Sequence, residues 1–138
     1  GICGIILCKE FLREFRENRM IRPILACQDP YRTAEVFVKA GWNLDFLNPP
    51  ESGDPLVGVS LHDNSLLLGI TDGYVETEKL DCIGCGVELY LTVPADEIHA
   101  IYKLHGMMKP TALTIQPWGD LAFEVSIDNF KLIIAAQM

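Results

Sequence analysis

Val59-Ser60-Leu61-His62-Asp63-Asn64-Ser65-Leu66-Leu67-Leu68 is echoed further along the chain by Val125-Ser126-Ile127-Asp128-Asn129-Phe130-Lys131-Leu132-Ile133, and this echo decides the fold. At a shift of 65 places, Asp63-Asn64 falls on Asp128-Asn129 and Leu66-Leu67-Leu68 on Lys131-Leu132-Ile133. The same shift lays Ala40-Gly41-Trp42 on His105-Gly106-Met107. Val59-Ser60-Leu61 fits Val125-Ser126-Ile127 at a shift of 66, so His62 reads as one extra residue in a bulge or longer turn. A match at a fixed period is the mark of a duplicated unit. Such a duplication determines shape more closely than chemistry, because function resides in sites carried on a fold.

Working outward, each copy reads strand, helix, strand, strand, strand. Ile24 to Gln28 is a short apolar strand, and Asp29-Pro30 opens a helix with a carboxylate cap and a proline at the first helical position. Ala34, Phe37, Val38 and Tyr31 recur with helical period to about Lys39, and Gly41 supplies a left-handed stop. Strands are expected over Trp42 to Leu47, Leu56 to Leu61 and Ser65 to Ile70, with the breaker-rich Asn48 to Pro55 as a loop. In the second copy, Val87 to Val93 alternates as a strand. Pro94-Ala95-Asp96 starts a helix carrying Ile98, Ile101, Tyr102 and Leu104, and Gly106 ends it. Thr111 to Gln116, Leu121 to Ile127 and Phe130 to Ala136 are its remaining strands. The division is module 1 over 21–70, linker over 71–86 and module 2 over 87–138. The fold class is therefore α+β: two tandem βαβββ modules, each a curved sheet with a helix outside, forming a half-open barrel with a central cleft.

Composition sets limits on partners. With 138 residues and 49% apolar content, the chain has enough material for one compact domain. A formal net charge of -8 repels a phosphate backbone or an anionic bilayer, so neither nucleic acid nor membrane is an expected partner. Cys3, Cys8, Cys27, Cys82 and Cys85 make an odd set that points to free thiols in a reducing cytoplasm. Residues 1–20 lie outside the repeat. There Ile5, Cys8, Phe11, Leu12 and Phe15 fall three or four apart among charged residues, the pattern of an amphipathic helix or of an extension without a signal-peptide start.

The paired βαβββ plan, the segment ending in Ala40-Gly41-Trp42, and Gln116-Pro117-Trp118-Gly119 leading into Leu121 to Val125 resemble the vicinal oxygen chelate superfamily, in its glyoxalase and bleomycin-resistance-like branch. The resemblance spans about Ile21 to Ala136, loosest at Ser126-Ile127-Asp128-Asn129, and implies pairing of modules and a homodimer. Enzymes of that superfamily hold a divalent ion with His and Glu from the first and last strands of each copy. Here the first strand offers Pro23 to Cys27 and the fourth Leu66 to Gly69. The eighth offers Lys131 to Ala136, with Ile133 about where a ligating Glu would stand, and the fifth brings only Glu88. No metal and no other cofactor is expected.

Other residues keep two readings. Cys82-Ile83-Gly84-Cys85 would need two further ligands for zinc, or a preceding strand and following helix for a thioredoxin-like pair, and is otherwise an incidental linker pair. His99 and His105 are six apart on one helix and face differently. Glu124 shares strand parity with Ala122 and Ser126, opposite the apolar Leu121, Phe123, Val125 and Ile127, which sends it to the concave face. Glu88 and Glu124 there would bind a cation or act as a base; alternatively each faces solvent or pairs with Arg22, Lys79 or Lys109. Trp42 and Trp118 are either aromatic platforms at a cleft mouth or core. The candidate ligand-binding set is Trp42, Phe46, Glu88, Tyr90, Gln116, Trp118 and Glu124. The function expected is metal-independent binding of a small aromatic or cationic molecule. The alternative is a metal-dependent lyase, dioxygenase or thiol transferase with an atypical ligand set.

Overall fold

The computed structural model describes residues 21–138, so the helix expected over residues 1–20 lies outside the described residues. Module 1 comprises β1 (Ile24–Cys27), α1 (Pro30–Lys39), β2 (Asn43–Asn48), β3 (Leu56–Leu61) and β4 (Asn64–Ile70). Module 2 comprises β5 (Glu88–Thr92), α2 (Ile98–Leu104), β6 (Thr114–Ile115), β7 (Leu121–Ile127) and β8 (Phe130–Ala136). The sheets have the orders β1-β4-β3-β2 and β5-β8-β7-β6, with the β1–β4 and β5–β8 pairs parallel and the others antiparallel. Two βαβββ modules in an α+β fold are what the duplication implied, and the sheets do not close into a barrel.

The local chemistry of α1 follows its sequence. The Asp29 carboxylate accepts the backbone N–H groups of Tyr31 and Arg32 at 3.1 and 3.2 Å, which satisfies two donors the helix cannot pair internally. Gly41 takes φ +96 directly after the cap residue, where a side chain would be strained. The second helix departs from expectation at both ends. Pro94 to Asp96 stays outside it, and its cap residue Glu97 makes no side-chain capping bond, leaving seven helical residues. Gly106 does not stop it in a left-handed conformation. A 3-10 turn over Gly106–Met108 follows, and Lys109 (φ +50) takes that role. The sixth strand shrinks to two residues, and the linker contains a 3-10 helix, Thr77–Cys82.

The register corrects the reading of His62. Leu61 pairs with Asn64 and Ile127 with Phe130, so both hairpins have two-residue turns, His62-Asp63 and Asp128-Asn129. The offset is a uniform 66 through both hairpins, and His62 corresponds to Asp128 rather than being an insertion. Both residues have positive φ, +53 and +49. The Asp-Asn coincidence at 65 arose because each turn ends or begins on a polar pair while the true equivalents, Leu66 with Leu132 and Leu68 with Ile134, are all buried.

A single core joins the modules. Phe37, Val57, Val59 and Leu68 of the first and Ile98, Phe123, Leu132 and Ile134 of the second belong to one buried cluster. The helix-covered faces of the sheets meet there, so the other, open faces lie outside this core. The hairpin turns tie the halves together. The Thr33 hydroxyl at the start of α1 donates to the Asp128 carboxylate, and His62 Nε2 lies 3.1 Å from Glu97 Oε2 before α2.

Candidate functional site

Strand alternation places the candidate side chains. On β5 and β8, Leu91, Leu132 and Ile134 turn to the core, which leaves Glu88, Tyr90, Lys131 and Ile133 on the open face of the second sheet. Glu124 on β7 pairs with Ile133 and shares that face. Lys131 stands between the carboxylates, with Nζ 3.3 Å from Glu88 Oε1 and 3.8 Å from Glu124 Oε1. Both glutamates reach solvent, as one of the expected alternatives had it, but neither pairs with Arg22, Lys79 or Lys109 in the ion pairs described. These groups are well hydrated, so each contact contributes at most about 1 kcal/mol. Their main effect is on charge, since two carboxylates around one ammonium leave the group negative.

Beside it lies an aromatic pair. Tyr90 OH donates to Asp120 Oδ2 at 2.5 Å and accepts Trp118 Nε1–H at 2.8 Å. The two rings are 6.3 Å apart at 54°. Desolvation first, then the bond to Asp120, raises the Tyr90 hydroxyl above its ordinary 10.0, so it stays a donor at neutral pH. Trp118 is 60% exposed although its N–H is used, presenting a held indole to solvent. Gln116 shapes this turn. Its backbone N–H bonds Asp120 O at 2.8 Å, and its amide reaches Thr114 O and Oγ1 at 3.3 and 3.2 Å.

The remaining candidates lie elsewhere. Phe46 sits on the open face of the first sheet, paired with Gly58, whose missing side chain makes room for the ring. Trp42 is not at a cleft mouth. It is 3% exposed, packs on Phe37 at 4.7 Å, and donates Nε1–H to His105 Nε2 at 2.9 Å. His105 is fully buried, and its Nδ1 lies 2.7 Å from Ile101 O, which makes Nδ1–H the donor and Nε2 the acceptor. Burial lowers its pKa, and the imidazole is neutral.

Three features escaped the sequence reading. Lys131 and Asp120 complete the groups above; the register pairing Glu88 with Lys131 was the signal for Lys131, and Asp120 had none. Thr111 clasps β7 by accepting Glu124 N–H on Oγ1 at 2.9 Å and donating its own N–H to Glu124 O at 3.0 Å. The open face of the first sheet holds a hollow of about 580 Å³ walled by Ile24, Ala26, Leu56, Gly69, Tyr74 and Val75. Small residues at open-face positions of β1 and β4, Ala26 and Gly69, were the available clue.

No protein-family model matches the chain, and no curated protein matches it in sequence. Solved structures do match. A bleomycin-binding protein complexed with bleomycin is 14% identical, with a TM-score of 0.60 over 86% of this chain and 98% of that one. A member of the glyoxalase/bleomycin resistance protein/dioxygenase superfamily from Sphaerobacter thermophilus is 17% identical, with a TM-score of 0.60 over 86% and 97%. The chain has the vicinal oxygen chelate fold. TnmS3, described as an antibiotic binding protein from a Streptomyces species, has the same fold at 16% identity, with a TM-score of 0.61 over 86% and 96%.

Metal-dependent enzymes with the vicinal oxygen chelate fold need several His or Glu ligands on the open strands, and the residues present do not fit that need. Among the described residues, no group of three or more His, Cys, Asp or Glu is placed to hold an ion. Glu88, the only such carboxylate on the first or last strand of either module, faces the ammonium of Lys131. Among the described residues no helix is long and apolar enough to cross a membrane.

Proposed function

We propose that this chain is a metal-independent binding protein for a small aromatic or cationic molecule, acting as a homodimer in the cytoplasm. The observation that carries the reading is the open face of module 2, where the exposed Trp118, fixed through Tyr90 to Asp120, stands beside the acidic group Glu88, Lys131 and Glu124. An indole already held by a hydrogen bond loses little freedom when a flat ligand stacks on it, and the negative surroundings favour a cation. Structures of the same fold described as bleomycin-binding and antibiotic-binding support a small-molecule ligand. The ammonium placed between the carboxylates supports independence from a metal.

Titration with bleomycin and, separately, with ethidium as a planar aromatic cation tests this through tryptophan fluorescence, Trp42 supplying a constant buried background. Saturable quenching is expected, with no change on adding EDTA, and titration calorimetry should show at least tenfold weaker binding in Trp118→Ala, whose remaining tryptophan reports nothing. Quenching that EDTA abolishes would favour a metal-dependent reaction, and the absence of saturable binding of either probe would defeat the assignment of this ligand class.

A further inference from the structure

The linker holds a feature that the proposed binding site does not use. Cys82-Ile83-Gly84-Cys85 closes as a turn in which Cys85 N–H bonds Cys82 O at 3.0 Å. Ile83 has φ -58 and ψ 131, and Gly84 has φ +84, the angles of a type II turn. Such a turn brings its first and fourth Cα atoms within about 7 Å, which overlaps the span of a disulfide. Both thiols are free and exposed, whereas the third described cysteine, Cys27, is buried, and burial above all pushes its thiol up to about 12. The turn is seated, not loose: a Cβ on Gly84 would come 2.2 Å from the Asn129 carbonyl oxygen on the β7–β8 hairpin. Two hollows, of about 570 and 420 Å³, flank this contact. Cys85 walls the first, and Glu88 and Lys131 wall the second.

We infer that Cys82 and Cys85 form a reversible dithiol–disulfide site whose co-reactant is a low-molecular-weight disulfide. One thiolate attacks a sulfur of the small disulfide, forming a mixed disulfide and releasing one small thiol. The other cysteine, as thiolate, then attacks the protein sulfur of that mixed disulfide and expels the second small thiol. The two cysteines are oxidised to one S–S bond, the small disulfide is reduced to two thiols, and the two cysteine protons end on those thiols. The closed ring fixes the turn against Asn129 and stiffens the wall shared by the two hollows.

The test uses the full chain carrying Cys3→Ser and Cys8→Ser, equilibrated with reduced and oxidised glutathione, acid-quenched, alkylated and weighed. The expected main product has lost two hydrogens, with Cys82 linked to Cys85 in its peptide map. Cys82→Ser should instead retain one glutathione on Cys85. Gly84→Ala should lower the internal disulfide yield relative to mixed disulfide about fivefold, because its left-handed φ and its seat on Asn129 disfavour the side chain. Accumulation of the doubly glutathionylated protein, or Cys82 and Cys85 both still alkylated in the most oxidising buffer, would overturn the site. An undiminished yield in Gly84→Ala with native circular dichroism would overturn the role given to the turn.

Discussion

His105 is the residue on which the two halves of the molecule meet, and its chemistry makes stability depend on pH. Both ring nitrogens are committed, Nδ1–H to Ile101 O and Nε2 as acceptor from Trp42. Protonation would set two donors facing each other at Nε2 without access to water. Because burial lowers the folded pKa below the ordinary 6.5, the unfolded chain binds this proton more readily. The contribution is thus complete above 6.5 and is lost as the pH falls from there toward the folded value, at up to about 1.4 kcal/mol per pH unit. Urea unfolding between pH 8 and 5 should show this slope, and His105→Asn should lack it; an identical slope in the variant would assign it to other groups. Trp42→Phe should cost about 1–3 kcal/mol at pH 7.5 by leaving Nε2 unpaired. The parity of Glu88, Tyr90 and Glu124 was legible from the sequence because a strand alternates strictly. Trp42 was not, since a tryptophan after a helix stop suits core or cleft equally until a partner from the other module is known.

Among the elements, the order and most of the bounds of strands and helices were legible, because each carries its own apolar period and punctuation. The register was not. A two-residue turn holding His62-Asp63 resembles one holding Asp128-Asn129 at either offset, and only the ladder, which keeps Leu66 and Leu132 both inside, decides. The short α2 and β6 were overestimated because pattern marks apolar faces and not the capping bonds that end an element. The pairing of β2 with β3 offers a test of edge packing. A Cβ on Gly58 would lie 2.4 Å from the ring of Phe46, but that ring is the free end of a side chain on an edge strand and can swing away. Gly58→Ala should therefore fold with a loss within about 1 kcal/mol, the ring displaced toward solvent. A loss of several kcal/mol in denaturant titration would show that Phe46 cannot move.

For the whole molecule, folding leaves an unsolved problem on its outer faces. The helix-covered sides of both sheets are spent on one core, while the open side of the first sheet keeps apolar groups in water, with Ile24 65% and Phe46 36% exposed. The apolar hollow walled by Ile24, Ala26, Leu56 and Val75 lies on that face, and an exposed apolar hollow is characteristic of surfaces that meet a partner. A second copy related by a two-fold axis would cover the open face of module 1 while the face of module 2 that carries Trp118 stays open to ligand. A stable interface of this type buries about 1,200–2,000 Å², within reach of two four-stranded faces. The homodimer proposed above predicts that sedimentation equilibrium gives twice the chain mass, and that Ile24→Glu gives the single-chain mass at low micromolar concentration. Ile24 makes no core contact, so the variant should keep its native near-ultraviolet circular dichroism and its slope of stability with pH, both of which depend on the Trp42–His105 core. A wild-type chain that sediments singly at every concentration would show that no second copy covers that open face. A variant that remains double would place the interface away from β1.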